Sequence, residues 1–383
     1  MTLVYDRPME GPATHAFVVG CGRYPHLEAD NLADRKSPVA GAVAVVEGLI
    51  GIADSLIAPL ASVEMLVSDP ADEGGPASIA ERLPQLGFAS VDQADAGHFQ
   101  AAGDAWLDRV RPGDSVVFYF SGHGVVDQKG SAIGLLEDVK ALRNRPWAAT
   151  FDVHPLATAL GTIGAESAWV FFDACQEISN TLPDTIWKSN GITLKELSLE
   201  DLANESCEPL AIAGSKLGHL AWAPDAYLPP YFTQVLLKGL SGCCVEKTRA
   251  HGWAVTGQTL LFKLRELASA IVEAVEVTPQ SLLRYSEGKA FAKVTAPFTP
   301  VAVRSEPEMA LHMATAVRIM DGAEVMHSTT EAHFVWRVDV PIVDRDLTVE
   351  CSVAAGDVEL SPQTFRPEPP SHKIVLVHAA GAP

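Results

Sequence analysis

"VVFYFSGHGVV", residues 116–126, is the stretch whose reading decides the fold. Val116 to Phe120 form an unbroken apolar and aromatic run, long enough for a strand and rich in the residues that strands favour. A strand apolar on both faces fits a parallel sheet covered on both sides. The run ends in Ser121 and then in Gly122-His123-Gly124, where the chain must turn. Glycines on either side of the histidine relieve crowding at that turn, so the ring can swing toward a substrate. The backbone amide of Gly124 is left bare enough to point at the same place.

The same rhythm spreads outward from this stretch. "HAFVVGCG" (15–22), "VEMLVS" (63–68), "SAWVFFDA" (167–174) and "PLAIAG" (209–214) read as further buried strands. Helical patterns lie between them at 38–49, 77–86 after a Gly/Pro-rich loop at 73–76, within 94–110, and near 153–160. A hairpin is expected near 125–136. Helices follow at 194–204, 231–240 and 256–275. Short apolar strands alternating with amphipathic helices predict an α/β fold, a mostly parallel sheet flanked by helices on both faces. Residues 310–380 instead alternate polar and apolar, as in "HFVWRVDV" and "LTVECSV", and predict a small C-terminal β-rich domain with antiparallel strands. The expected organisation is an irregular N-terminal arm (1–14), a main domain (15–297) interrupted by a polar stretch at 176–208, and a β-rich domain (298–383).

Composition narrows the function. The chain has 383 residues, 48% hydrophobic and 20% charged, as a folded globular protein has. Its formal net charge of −20 would repel nucleic acid phosphates and anionic membrane surfaces, so neither partner is expected. The N-terminus lacks the basic start and apolar core of a secretory signal, and no apolar run reaches the length of a membrane span. The six cysteines (21, 175, 207, 243, 244 and 351) contain no CxxC pair, so neither a zinc site nor a disulfide framework is indicated. A cytoplasmic protein with no cofactor and no metal is expected. Cys21 and the pair Cys243-Cys244 read as packing residues.

Two of the predicted parallel strands end in reactive side chains, one at His123 and the other at Asp173-Ala174-Cys175-Gln176. Sites in open α/β sheets form at the carboxyl ends of the strands, so His123 and Cys175 emerge on one edge. A thiol beside an imidazole is a nucleophile with its general base, and the imidazolium then protonates the leaving amine. The backbone N–H groups of Gly124 and Cys175 together suit an oxyanion hole. Arg23, after the first strand on the same edge, is a candidate substrate anchor, with a surface ion pair as its other reading.

These motifs resemble those of the caspase-like cysteine peptidases, which include caspases, metacaspases and many bacterial members. That family carries a Q-A-C-[RQG]-G motif with a histidine about 50 residues upstream; here D-A-C-Q-E at 173–177 follows His123 by a similar interval. "HAFVVGCGRYPHL" (15–27), "LAIAGSKLGHLAW" (210–222) and "VTPQ" (277–280) extend the resemblance over roughly residues 15–295. It implies that Cys175 is the nucleophile, His123 the acid and base, and Gly124 an oxyanion donor. It also implies that Asp173 and Ser121 line the pocket for the residue before the cut. A carboxylate there attracts cationic side chains and repels acidic ones, so cleavage after Arg or Lys is expected. The polar stretch 176–208 occupies the family's intersubunit linker. This position suggests a zymogen cut there, by itself at Lys188 or Lys195 or by an activating protease, and a stress or defence role. The chain departs from the pattern at Ala40-Gly41, where the family has Asn-Asp, and at Glu177 in place of a small residue; Asp30 or Asp34 are candidates to replace the lost charge. The expected partner is a protein substrate, with a regulatory protein as a further one. The rival reading is a non-catalytic scaffold that binds a partner through the C-terminal β domain.

Overall fold

The computed structural model describes residues 2–27, 32–70, 91–127, 130–176, 191–331, 333–353 and 359–378. The chain folds as two compact units, Met1–Leu237 with Val275–Ala292, and Lys238–Ala274 with Lys293–Pro383. The first unit runs through β1 (Leu3–Asp6), β2 (Thr14–Cys21), α1 (Ser37–Gly51), β3 (Leu60–Ser68), α2 (Ala96–Leu107) and β4 (Ser115–Gly122). It continues with β5 (Gly124–Val126), β6 (Ala132–Leu135), β7 (Thr150–Asp152), α3 (Val153–Leu160) and β8 (Ser167–Ala174). Then come α4 (Leu199–Ala203), β9 (Leu210–Ala213) and α5 (Tyr231–Lys238). After β10 (Val245–Thr248), β11 (Gly252–Thr256) and α6 (Gly257–Ile271) in the second unit, the chain returns with β12 (Gln280–Ser281).

The seven-stranded sheet has the order β1-β3-β2-β4-β8-β9-β12. Its five central strands are parallel, and β1 and β12 run antiparallel at the edges. The mostly parallel α/β sheet predicted from the apolar runs is present. From β2 the chain moves to β3 on one side and comes back to β4 on the other. The order therefore reverses beside β2, and a crevice opens at the carboxyl ends of these strands.

Every residue of β2, β3 and β8 is buried, which is why these segments carry almost no charge. One face is aromatic: Phe17, Phe118, Phe120 and Phe172 pack with Phe99 and Trp106 of α2 and with Phe151. Edge-to-face and stacked ring pairs of this kind add to the burial of area. The other face holds Tyr119, Ser121 and Asp173, and meets α1 at Gly41 and α5 at Thr233. The helices start where short acceptors permit: Asp95 accepts from the His98 N–H ahead of α2, and Asp152 from the His154 N–H ahead of α3.

Two elements differ from the sequence expectation. The N-terminal arm contains β1, an edge strand paired with β3, too short to register as a periodic pattern. The helix expected over 194–204 is confined to α4, started by a capping box between Ser198 and Asp201. Leu194 leaves that helix because its side chain enters the core. Residues 77–86, expected as a helix, and the loop 73–76 lie outside the described residues.

After β13 (Ala290–Lys293), the second unit continues with β14 (Phe298–Glu306), α7 (Glu308–His312), β15 (Ala314–Asp321) and β16 (Glu324–Thr329). It ends with β17 (Trp336–Pro341), β18 (Leu347–Val353), β19 (Gln363–Phe365) and β20 (His372–Val377). Two small sheets, β17-β14-β20 and β16-β15-β18-β19, enclose a core that includes Val303, Leu311, Val317, Ile319, Val349 and Leu376. The pairing is antiparallel as expected, except that β14 and β20 run parallel. Among the described residues no helix is long and apolar enough to cross a membrane.

Candidate active site

The sheet register brings the two reactive strand ends together. β4 and β8 pair as Ser121↔Asp173 and Gly122↔Ala174. One step beyond, His123 and Cys175 follow on adjacent strands, whose usual separation is about 4.8 Å. A Cβ built on Gly124 would lie 2.6 Å from the Cys175 carbonyl oxygen, so the two backbones are in direct contact there and only glycine fits. Cys175 is half-buried, the exposure a nucleophile needs. Burial pushes the thiols of Cys21, Cys207, Cys243, Cys244 and Cys351 up, the behaviour of structural cysteines.

His123 is 7% exposed and held from three directions. Its Nε2–H donates to the Ala33 carbonyl at 2.8 Å. Its backbone N–H donates to the Tyr24 hydroxyl at 2.7 Å, and the two rings lie 4.6 Å apart. Burial lowers the imidazole pKa, and the charge of Arg35 lowers it further against the pull of the Ala33 carbonyl and Asp34. The ring therefore rests neutral near pH 7, the form that accepts a proton.

The Leu135 N–H donates to the His123 carbonyl, so in the β5–β6 ladder the His123–Leu135 pair is the bonded one. Alternation then turns the N–H of Gly124, opposite Gly134, away from β6.

A loop from Gly214 to Trp222 closes over the thiol. Gln176 N–H donates to the His219 carbonyl, Gly218 N–H to the Gln176 carbonyl, and Ser215 Oγ to the Ala174 carbonyl. The Ala221 N–H reaches Cys175 Sγ at 3.3 Å. Sγ also faces the Ala221 carbonyl, at 4.0 Å.

Asp173, Ala221, Trp222, Phe232, Glu276 and Val277, among others, line a small closed cleft, too narrow in this structure to hold a water molecule; it adjoins Cys175 through Ala221, whose N–H meets the thiol. Asp173 is 2% exposed. Its Oδ2 accepts from the Thr233 hydroxyl at 2.5 Å and the Thr233 N–H at 3.2 Å, and Thr233 Oγ1 also meets the Tyr119 hydroxyl at 2.5 Å. Among the described residues, its Oδ1 has no hydrogen-bond partner. Burial pushes its pKa up to about 7 against those hydrogen bonds. An orphaned buried carboxylate oxygen is costly unless a ligand answers it. Ser121 lies level with Asp173, fully buried, its hydroxyl likewise without a partner among the described residues.

Arg23 forms an ion pair with Glu137. Its guanidinium donates to Glu137, which is itself buried and also accepts from Ser68. That half-buried ion pair ties the loop after β2 to Glu137. Asp34 accepts from the Tyr24 N–H at 2.6 Å and does not line the pocket; Asp30 and Glu177 lie outside the described residues. Tyr24 and Glu276 were not singled out from sequence. Tyr24 had a signal, its place just after the first strand on the active edge, whereas Glu276 is brought in from far along the chain.

Residues 77–337, more than half of the chain, match the caspase domain family. No curated protein matches the chain. Among solved structures, a structural-genomics protein from Geobacter sulfurreducens is similar at 14% identity and a TM-score of 0.42, over 71% of this chain and 93% of its own.

Proposed function

The chain belongs to the caspase domain family, and on that premise we propose that it is a cysteine endopeptidase that cuts proteins after basic residues through Cys175 and His123. The reading is carried by one observation. The register that sets His123 beside Cys175 also sets the buried, half-satisfied carboxylate of Asp173 in the adjoining pocket.

Neutral His123 takes the thiol proton as Cys175 Sγ attacks the substrate carbonyl. The backbone N–H groups of Gly124 and Cys175 receive the oxyanion, where fixed donors stabilise developing charge most. The imidazolium then gives its proton to the leaving amine, and water releases the acyl group by the reverse route. Asp173 selects a cationic side chain for the pocket, with Ser121 beside it.

Processing in the polar linker completes the proposal. Lys195 is tied by its ammonium to Asp201 Oδ1 at 2.8 Å and to Thr162 Oγ1 at 2.9 Å. Lys188, which lies outside the described residues, is therefore the self-cleavage site we name. A cytoplasmic stress or defence effector acting on protein substrates is the setting this chemistry suits, as the family resemblance implies.

Fluorogenic peptides varied at the residue before the cut, offered with and without a thiol-alkylating inhibitor, test the reading. Turnover of Arg or Lys peptides that iodoacetamide abolishes, and that Cys175→Ala and His123→Ala each lower by about a thousandfold or more, is the expected result. Activity surviving in Cys175→Ala, or a preference for acidic residues, would refute it.

A further inference from the structure

We propose that Glu276 is the second carboxylate of the specificity pocket, that the pair selects arginine, and that Lys216 holds Glu276 until a substrate side chain replaces it. This inference rests on the basic-residue reading above.

At Gly41 a Cβ would lie 2.7 Å from the Tyr119 hydroxyl and 3.0 Å from Pro230, so α1 sends no side chain toward Asp173 at this position. Asp173 alone does not match a guanidinium. Its Oδ2 is taken by Thr233, and only Oδ1 is left to accept.

Glu276 reaches the same pocket from the segment just before β12. It is 64% exposed at the side chain, so it stands at the mouth, whereas Asp173 lies buried. Trp222 and Val277 line the space with them, apolar surface suited to an aliphatic stem and, for tryptophan, to a cation. Two acceptors at different depths suit the five-donor guanidinium better than a compact ammonium.

Lys216 Nζ lies 3.4 Å from Glu276 Oε1, with both side chains well exposed. Pairs of this kind are screened and weak. A substrate cation that is also drawn to Asp173 therefore displaces Lys216 readily. In the free protein the lysine occupies the carboxylate that the substrate will need, and this raises KM without touching the chemical step.

The test uses the full chain and three peptide substrates that differ only in carrying arginine, lysine or the neutral arginine isostere citrulline before the cut. Glu276→Gln is expected to lower kcat/KM for arginine about tenfold, through KM, and to bring the arginine-to-lysine ratio toward one. Citrulline turnover should not change. Lys216→Ala is expected to raise kcat/KM for arginine several-fold, and to have no effect when Glu276→Gln is already present. A measurement independent of turnover is protection of Cys175 from iodoacetamide by agmatine, whose half-protecting concentration should rise about tenfold in Glu276→Gln. If arginine turnover and agmatine protection are the same in Glu276→Gln as in the wild type, the role of Glu276 is overturned and the basic-residue reading stands. If the wild type neither prefers arginine or lysine over citrulline nor gains protection from agmatine, the reading beneath it falls.

Discussion

The Nε2 of His123 lies 2.8 Å from the carbonyl oxygen of Ala33. A carbonyl can only accept, so this contact fixes the proton on Nε2 and leaves Nδ1 as the basic nitrogen. Burial holds the ring below its ordinary pKa of 6.5. For a substrate with a neutral residue before the cut, kcat/KM should therefore stay level through neutral pH and fall only below 6.5. A pH–rate profile with its acid limb above that value would show that His123 is not the base.

Tyr24 acts through His123. Its hydroxyl accepts the His123 N–H and lies 3.0 Å and 3.2 Å from the carbonyls of Cys21 and Leu135. Tyr24→Phe strips the His123 N–H of its partner in a buried place, at a cost of about 1–3 kcal/mol. The expected outcome is a kcat about tenfold lower with KM little changed, and a displaced acid limb in the pH profile. A change in melting temperature alone, with kcat and its pH profile untouched, would make Tyr24 merely structural.

The central strands were legible because burial on both faces leaves an unbroken apolar run, as in Val116–Phe120 and Trp169–Phe172. The pairing of His123 with Cys175 was legible because both stand at the ends of such runs, and parallel strands share an end. Glu276 was not: the adjoining "VTPQ" marked its segment, but the resemblance gave Glu276 no role, and only the pairing of β12 with β9 brings it to the cleft that Asp173 lines. Arg23 was ambiguous because its partner, Glu137, lies far away in the chain, beyond the β5–β6 hairpin. The edge strand β1 escaped notice because four half-exposed residues carry no periodicity.

Asp173 couples specificity to stability. Its pKa in the fold, about 7, stands above the ordinary 3.8. The unfolded chain gives up this proton more readily, so the carboxylate costs stability as pH rises from about 4 to 7, and in full above 7. Asp173→Asn should raise unfolding free energy at pH 8 by on the order of 2–4 kcal/mol and leave it unchanged near pH 4. The same variant should lose most turnover of arginine substrates while keeping that of citrulline. In the wild type, kcat/KM for arginine should fall below pH 7, at a higher pH than for citrulline, because the free enzyme's pocket loses its charge first. Denaturant titrations at the two pH values, with the two profiles, check both halves. Equal stability change at pH 4 and pH 8 would sink the assignment.

Gly41 is constrained by Tyr119. Its Cβ would fall 2.7 Å from the tyrosine hydroxyl, which is itself fixed by Thr233 Oγ1 at 2.5 Å, and 3.0 Å from Pro230. The tyrosine is fully buried and cannot turn aside. Alanine favours a helix over glycine by roughly 1 kcal/mol, so on propensity alone Gly41→Ala in α1 would stabilise. Overpacking of a closed core costs about 1–3 kcal/mol and opposes that gain. We expect the clash to win, with Gly41→Ala destabilising by about 1 kcal/mol. Tyr119→Phe removes the hydroxyl that collides, so the double variant should recover most of the loss while Tyr119→Phe alone still frees Thr233. A double-mutant cycle by denaturant unfolding measures the coupling directly. Additive effects would mean that the tyrosine hydroxyl is not what excludes a side chain at position 41.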